Sequence, residues 1–244
     1  MSDIKHWSAL RQSWVHIELP GIREIAERVT YGSFPAAELP EIPIELDDDC
    51  YWLEQYGVSQ SNGLDRYEHD LDPTFVQELA MEANIRLPDS FRRFMTSQDL
   101  QSRVRSATDC YLDPGERVVR TIGSLPGHLI HFLSDSQSCA HWYLHVMPDG
   151  GAAVLSSPHL YCYGTEDEEW LDDPSCGLDQ IELLELGFSC CAPSFAEFLY
   201  RFWIENEIWF SLVPKESRRP LSDLARRYIK HYRSRRPDRP EGSR

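Results

Sequence analysis

The amino-acid sequence predicts an α+β fold in which an antiparallel β-sheet is flanked by helices at both ends of the domain. Three segments in chain order lead to this prediction. Residues 87–95 begin with Leu-Pro and continue as an aromatic-rich helix, residues 131–155 have the pattern of short apolar strands separated by turns, and residues 194–199 begin a capped helix. A helix, an antiparallel meander and a closing helix in this order describe one layered domain.

Length and composition indicate a folded globular protein with terminal extensions. The chain has 244 residues, 41% of them hydrophobic, with 7 Trp, 11 Tyr and 10 Phe. A chain of this length can bury a substantial core. We predict a mostly helical N-terminal extension over residues 1–65, an α+β domain over residues 66–213, and a basic amphipathic helix with a disordered tail over residues 214–244.

Helical spacing of apolar residues is the basis for the predicted N-terminal extension. Two short helices are expected on either side of a break at Pro20-Gly21. A third helical turn is expected over residues 50–57, because Asp47-Asp48-Asp49 can cap it and Gly57 can end it. The apolar positions that indicate the first two helices are Trp7, Leu10 and Trp14, followed by Ile22, Ile25, Ala26 and Val29.

Two helices are predicted to open the α+β domain. The first has an N-cap at Asp72 and a proline at its first helical position, Pro73. The second begins at Pro88. The residues expected to face inward are Phe75, Val76, Leu79 and Ala83 from the first helix, and Phe91, Phe94 and Met95 from the second.

The central part of the domain has the periodicity of strands. Short apolar or β-branched runs occupy residues 117–122, 129–133, 142–146 and 152–155, and glycine, serine and aspartate separate them. A capping box of Ser194 and Glu197 then begins the closing helix. Its apolar face, expected to pack across the sheet, consists of Phe195, Phe198, Leu199 and Phe202.

This order of elements resembles the SUKH superfamily, the Smi/Knr-like fold of bacterial toxin-immunity proteins. The resemblance lies in "LPDSFRRFM", "HFLSDSQSCAHWYLHVMPDGGAAVL" and "SFAEFL", and it covers roughly Asp72 to Leu212. Where family members often place an Asn-Gly or Gly-Gly turn after the first of these helices, this chain continues through residues 96–101. The resemblance implies a non-enzymatic function, the stoichiometric neutralisation of a co-encoded toxin domain by covering its active surface.

Charge is segregated along the chain. Residues 1–214 carry 13 Lys/Arg and 36 Asp/Glu, a net charge of −23, whereas residues 215–244 carry 11 Lys/Arg and 4 Asp/Glu, a net charge of +7. An acidic body speeds the encounter with a basic protein, such as a toxin domain, and repels nucleic acid. Nucleic-acid binding is therefore expected only through residues 215–244.

The basic C-terminal helix has two interpretations. It can dock on the acidic body of its own chain, which fits the charge segregation and requires no partner. It can instead bind nucleic acid or an anionic membrane surface. The residues with amphipathic spacing are Leu221, Leu224, Ala225, Tyr228, Ile229 and Tyr232.

An acidic run that surrounds a tryptophan is the predicted partner-binding site. The carboxylates would steer a basic partner, and the indole would bury a large area on binding. The alternative is a solvated surface loop, which is the usual role of such a run. The predicted site residues are Glu166, Asp167, Glu168, Glu169, Trp170, Asp172 and Asp173.

The histidines do not form a recognisable metal site. His141 and His145 point to the same face of a strand but lie about 13 Å apart at about 3.3 Å per residue, too far for one ion. Only a cross-strand pair such as His128 with His145 could chelate, and no further ligand motif completes such a site. The run from Glu68 to Asp72 resembles a phosphohydrolase His-Asp pair or a divalent-ion Asp-x-Asp motif, but such enzymes need further ligands elsewhere, and Asp72 is already expected to cap a helix. We expect no metal and no cofactor.

The cysteines and the motif content favour a protein that is not an enzyme. None of the seven cysteines has Cys-x-x-Cys spacing, so we expect reduced and mostly buried thiols, with a Cys190–Cys191 disulfide as the alternative. The sequence contains no nucleophile elbow, phosphate loop or dinucleotide fingerprint. A Cys/His pair that meets only in space remains the enzyme hypothesis.

The sequence indicates a cytoplasmic protein. No stretch approaches the roughly 18 apolar residues of a membrane span, and the first residues lack the apolar run of a secretory signal. A second functional hypothesis is an intracellular regulatory scaffold with several partners, the role of fungal relatives of the SUKH fold. The sequence leaves the oligomeric state open.

Overall fold

The computed structural model describes residues 4–25, 29–60, 63–64, 75–115, 117–161, 180–213 and 220–235. Within these ranges it contains nine strands, six α-helices and two short 3₁₀ helices, Ile4–Ala9 and Ala36–Glu38. The strands are β1 (Arg11–His16), β2 (Gly32–Pro35), β3 (Tyr111–Leu112), β4 (Val119–Thr121), β5 (Gly127–Ser134), β6 (His141–Val146), β7 (Ala152–Ser157), β8 (Gln180–Ile181) and β9 (Ser189–Ala192). The helices are α1 (Tyr51–Tyr56), α2 (Phe75–Glu82), α3 (Asp89–Thr96), α4 (Gln98–Ser102), α5 (Phe195–Leu212) and α6 (Asp223–Arg235).

All nine strands belong to one mixed sheet. Its order is β2-β1-β9-β7-β6-β5-β4-β8, and β3 pairs with the end of β5. Strands β4 to β7 form an antiparallel meander, as the sequence predicts. The sheet as a whole is not antiparallel, because β1 pairs with β9 and β4 pairs with β8 in parallel. These two pairings join segments far apart in the chain, which a local pattern cannot reveal.

The prediction of two helices in the first 30 residues is wrong for the described part of that segment, and residues 26–28 lie outside it. A 3₁₀ helix, strand β1 and a turn closed by a Leu19–Arg23 bridge take their place. Trp7 and Leu10 pack in one apolar cluster of the sheet, whereas Trp14 packs in the other. Their helical spacing therefore does not describe a single face, and pairing with β9 gives the segment an extended conformation. The predicted N-terminal extension contributes two strands to the sheet.

The helices that open the α+β domain follow the prediction. Helix α3 begins directly after Pro88 and buries Phe91, Phe94 and Met95. Helix α2 buries Val76 and Leu79, while its predicted cap lies outside the described residues. After α3, the Ser97 hydroxyl accepts a hydrogen bond from the Leu100 amide and begins α4. The segment that departs from the SUKH pattern therefore encodes a second helix start.

Helix α5 covers one face of the sheet, which we call the helix face. Three of its four phenylalanines, Phe195, Phe198 and Phe202, contact rings of the strands and of α3, with Phe195 4.9 Å from Phe91 and Phe198 5.5 Å from Phe132 between ring centroids. The Ser194 hydroxyl caps α5 by accepting from the Glu197 amide. The Glu197 carboxylate does not complete the predicted capping box, because it accepts two hydrogen bonds from Arg201 instead.

Helix α6 docks on the body of the protein, as one of the two interpretations of the tail predicts. Tyr228 donates to the carboxylate of Glu205 at 2.8 Å, and Arg23 donates to the Tyr232 hydroxyl at 2.7 Å. Arg23 and Glu205 form a buried ion pair of 2.6 Å. Burial favours a raised pKa for Glu205, but the facing Arg23 guanidinium outweighs it, so the pKa lies below its ordinary value. The apolar residues that α6 buries are Leu224, Ala225, Tyr228, Ile229 and Tyr232.

None of the helices that the structure describes has the length and apolar character that crossing a bilayer requires.

Candidate functional site

The face of the sheet opposite α5, which we call the histidine face, holds three buried histidines. His131 on β5 and His141 and His145 on β6 are all buried there. Burial lowers their pKa values, to about 3 for His131 and about 4 for the other two, and neighbouring histidines lower the values for His131 and His145 further. All three imidazoles are neutral at neutral pH.

His131, Ser134 and Asp113 are arranged like a catalytic triad. The Ser134 hydroxyl lies 3.0 Å from His131 Nε2 and 2.9 Å from His141 Nδ1. On the other side of the His131 ring, Nδ1 lies 3.7 Å from the Asp113 carboxylate. This distance exceeds that of a hydrogen bond.

The contacts of His131 differ from those in a catalytic triad. His131 Nε2 also lies 3.1 Å from the Leu133 carbonyl oxygen, which can only accept. Nε2 is therefore shared between Ser134 and this carbonyl, whereas the corresponding nitrogen of a catalytic triad faces only the serine hydroxyl. Ser134 is fully buried as well. The arrangement is a buried polar network that joins β5 to β6.

His145 is also satisfied within the fold. Its Nδ1 accepts from the Trp7 indole at 2.8 Å, and its Nε2 lies 3.0 Å from the Thr121 hydroxyl, which donates to the Leu125 carbonyl. Since both of its ring nitrogens are engaged, His145 offers no free nitrogen to an ion held between it and His128, the one cross-strand pair considered above. Among the described residues no group of three or more His, Cys, Asp or Glu is placed to hold a metal.

The described cysteines are free thiols. Cys190 and Cys191 point to opposite faces of the sheet, because Cys190 packs in the cluster with Trp7 and Cys191 in the cluster with Trp14. Burial raises the pKa of Cys190 to about 12 and that of Cys191 to about 11, so both remain protonated and unreactive at neutral pH. Cys139 is the exposed thiol of the described set.

The predicted partner-binding residues lie outside the described residues. These are Glu166, Asp167, Glu168, Glu169, Trp170, Asp172 and Asp173. The run Glu68-His69-Asp70 and the predicted cap Asp72 lie outside them too.

A second acidic surface is described, and we call residues 38–54 the acidic segment. It contains seven carboxylates and no lysine or arginine. Asp47 caps α1 by accepting from the Tyr51 amide at 2.8 Å, and Gly57 ends the helix, as the sequence predicts. Six of the seven carboxylates are exposed, as is 55% of Tyr51. Like the run around Trp170, this segment combines an aromatic side chain with several carboxylates. In the sequence, the three aspartates at 47–49 close to Tyr51 indicate it.

The acidic segment already binds one guanidinium group. Arg93 from α3 lies over the Tyr51 ring, with 4.7 Å between the guanidinium carbon and the ring centroid. Its nitrogens lie 2.5 Å from Glu54 and 3.4 Å from Asp49. A cation over an aromatic face with carboxylates at its edge is the geometry by which proteins bind arginine. The remaining exposed carboxylates, among them Asp48, leave this surface strongly negative.

No family model matches this chain, and neither the curated proteins nor the solved structures contain a match to it. The SUKH resemblance therefore remains a prediction from the three sequence segments.

Proposed function

We propose that this chain is a non-enzymatic, cytosolic binding module whose acidic surface captures a basic protein. The observation that carries the proposal is the charge of the exposed surface. Before residue 214, the described part of the chain exposes fifteen carboxylates and only four arginines. A field of one sign raises the rate of encounter with a partner of the opposite sign.

The resemblance to SUKH proteins gives this proposal its specific form, the stoichiometric neutralisation of a co-encoded basic toxin domain. Two segments of the sequence combine carboxylates with an aromatic residue: the run at 166–173, for which partner binding is predicted, and the acidic segment with Tyr51. The carboxylates would accelerate association, and the aromatic side chains would supply the buried area that slows dissociation.

The histidine face supports binding rather than turnover. In its triad-like group His131 Nε2 is shared with the Leu133 carbonyl, and Ser134 is fully buried. The two nitrogens of His145 are engaged by Trp7 and Thr121. These contacts give the histidines a structural role.

Affinity capture followed by a measurement of the stoichiometry of the complex tests the proposal. The full chain is immobilised, bound proteins are identified by mass spectrometry, and the stoichiometry of the purified complex is measured by light scattering. One basic protein bound one to one is the expected result. Several weak partners would favour the scaffold hypothesis, and a hydrolytic turnover abolished by His131→Asn or His145→Asn would contradict the proposal.

A further inference from the structure

Helix α6 presents a row of cations to solvent. Its apolar residues and two tyrosines are buried against the body, and its opposite side is exposed. We call this exposed side the cationic face of α6. It consists of Arg226, Arg227, Lys230 and Arg233.

The cations of this face do not hold α6 in place. Arg226 pairs with Asp223 one turn away, and both side chains are largely exposed. In the described part of the chain, Arg227, Lys230 and Arg233 form no ion pair, although the protein has 40 acidic residues. The carboxylates of Glu205 and Glu197, which lie on the helix beneath α6, are already paired with arginines. The cationic face is therefore a local excess of positive charge.

The composition of the exposed face distinguishes between classes of anionic partner. Protein interfaces need apolar or aromatic anchors that become buried, and amphipathic helices bind membranes by inserting apolar side chains. Every apolar or aromatic side chain from Leu224 to Tyr232 is buried in the protein's own core. Binding to a phosphate backbone needs no exposed apolar or aromatic side chain, because it is driven by cations that displace condensed counterions.

We propose that the cationic face of α6 binds the phosphate backbone of a nucleic acid without reading its sequence. At about 1.5 Å per residue, Arg226 and Arg233 are about 10 Å apart along the helix, the span of about three phosphates on one strand. Physiological salt screens charges beyond about 8 Å, which limits repulsion by the acidic body.

The proposal is tested with the full-length chain and two matched triple variants. The first carries Arg227→Gln, Lys230→Gln and Arg233→Gln. The control carries Arg86→Gln, Arg92→Gln and Arg120→Gln, which are exposed arginines outside α6 and lower the net charge equally. Fluorescence anisotropy with a labelled RNA strand and a labelled DNA duplex, each of about 20 nucleotides, gives the affinity between about 50 and 200 mM KCl. Thermal unfolding verifies that both variants are folded.

We expect the wild type and the control to bind both probes. The α6 variant should lose at least about tenfold in affinity at 100 mM KCl, and the slope of log affinity against log salt should fall by about 2–3. Equal affinity and slope for the two triple variants would overturn the proposal, as would no binding by the wild type at 50 mM KCl. Tighter binding to phosphatidylserine vesicles than to either nucleic acid would overturn the proposal in favour of a membrane surface. Tighter binding to polyglutamate would overturn it in favour of an acidic protein.

Discussion

Helix α6 and the acidic segment both pack against α5, but different interactions hold them there. Helix α6 places two tyrosine hydroxyls on the buried Arg23–Glu205 pair. The acidic segment places the Trp52 ring 5.6 Å from that of Tyr200 and 5.7 Å from that of Trp203. In both regions the buried side chains provide the attachment and the exposed charges face solvent. The comparison teaches that the clustered charges of these two regions lie on the protein surface and contribute little to the free energy of unfolding.

Removal of residues 215–244 should have the largest effect. It exposes the surfaces that α6 covers, and each large buried side chain is worth about 1.5–3 kcal/mol, so the free energy of unfolding should fall by more than about 5 kcal/mol. Urea unfolding measures the loss. Deletion of 237–244 alone keeps α6 and is the control. Equal stability of the full chain and the chain that ends at residue 214 would show that α6 is not docked.

Acid should weaken the histidine face while leaving both attachments to α5 intact. The pKa values of His141 and His145 are lowered to about 4, so below pH 6.5 the unfolded chain binds more protons than the folded one. Stability is therefore complete above pH 6.5 and falls as the pH approaches 4, by about 2–3 kcal/mol for each histidine at pH 4.5. Urea unfolding between pH 7 and 4.5 measures this. A flat profile over that range would contradict the buried neutral histidines.

Replacement of Trp52 should separate the acidic segment from α6. The change Trp52→Ala removes a buried indole from the contact with α5 and should cost about 3–5 kcal/mol, the usual range for Trp→Ala in a core. The neighbouring change Tyr51→Ala, at an exposed position of the same helix, should cost under about 1 kcal/mol. Denaturant midpoints and slopes give both values. Equal costs at the two positions would show that aromatic packing does not attach the acidic segment.

Loss of a single hydroxyl from α6 should have the smallest effect. The change Tyr228→Phe removes one hydrogen bond to the Glu205 carboxylate and should cost about 1.5–3 kcal/mol, because hydrogen bonds to charged groups are the stronger ones. Tyr56→Phe, at an exposed position, is the control. Thermal unfolding of both variants and the wild type in the same buffer gives the difference in melting temperature. Identical melting temperatures for Tyr228→Phe and the wild type would show that this hydrogen bond does not contribute to the attachment of α6.

Short sequence patterns predicted the helix starts and the hairpin strands, because these elements depend on residues that are close together in the chain. The proline before α3, the Ser194 cap of α5 and the strand pattern of β5 to β7 each act within a few residues, and the structure has these elements at the expected positions. Strand β1 was missed because Trp7 and Trp14 pack on opposite sides of the sheet at a spacing that matches a helix. Its parallel partner β9 lies about 180 residues away in the chain.

Sequence alone could identify candidate site residues but could not show their chemical state. The sequence places His141 and His145 on one face of a strand, and the structure agrees. The contact of His131 Nε2 with the Leu133 carbonyl spans a bulge in β5, which no motif encodes. The acidic segment is visible as charge in the sequence, but its exposure and its contact with Arg93 require the folded chain.

The association rate of the captured partner tests the central claim most directly. In one variant, both acidic surfaces are neutralised by converting Asp48, Asp49, Glu54 and the carboxylates at 166–169 to the corresponding amides. Stopped-flow mixing at low and high salt should show that the association rate at low salt falls at least about tenfold and that its salt dependence flattens, while the α6 triple variant behaves as wild type. An unchanged rate with unchanged salt dependence would contradict capture by the acidic surface.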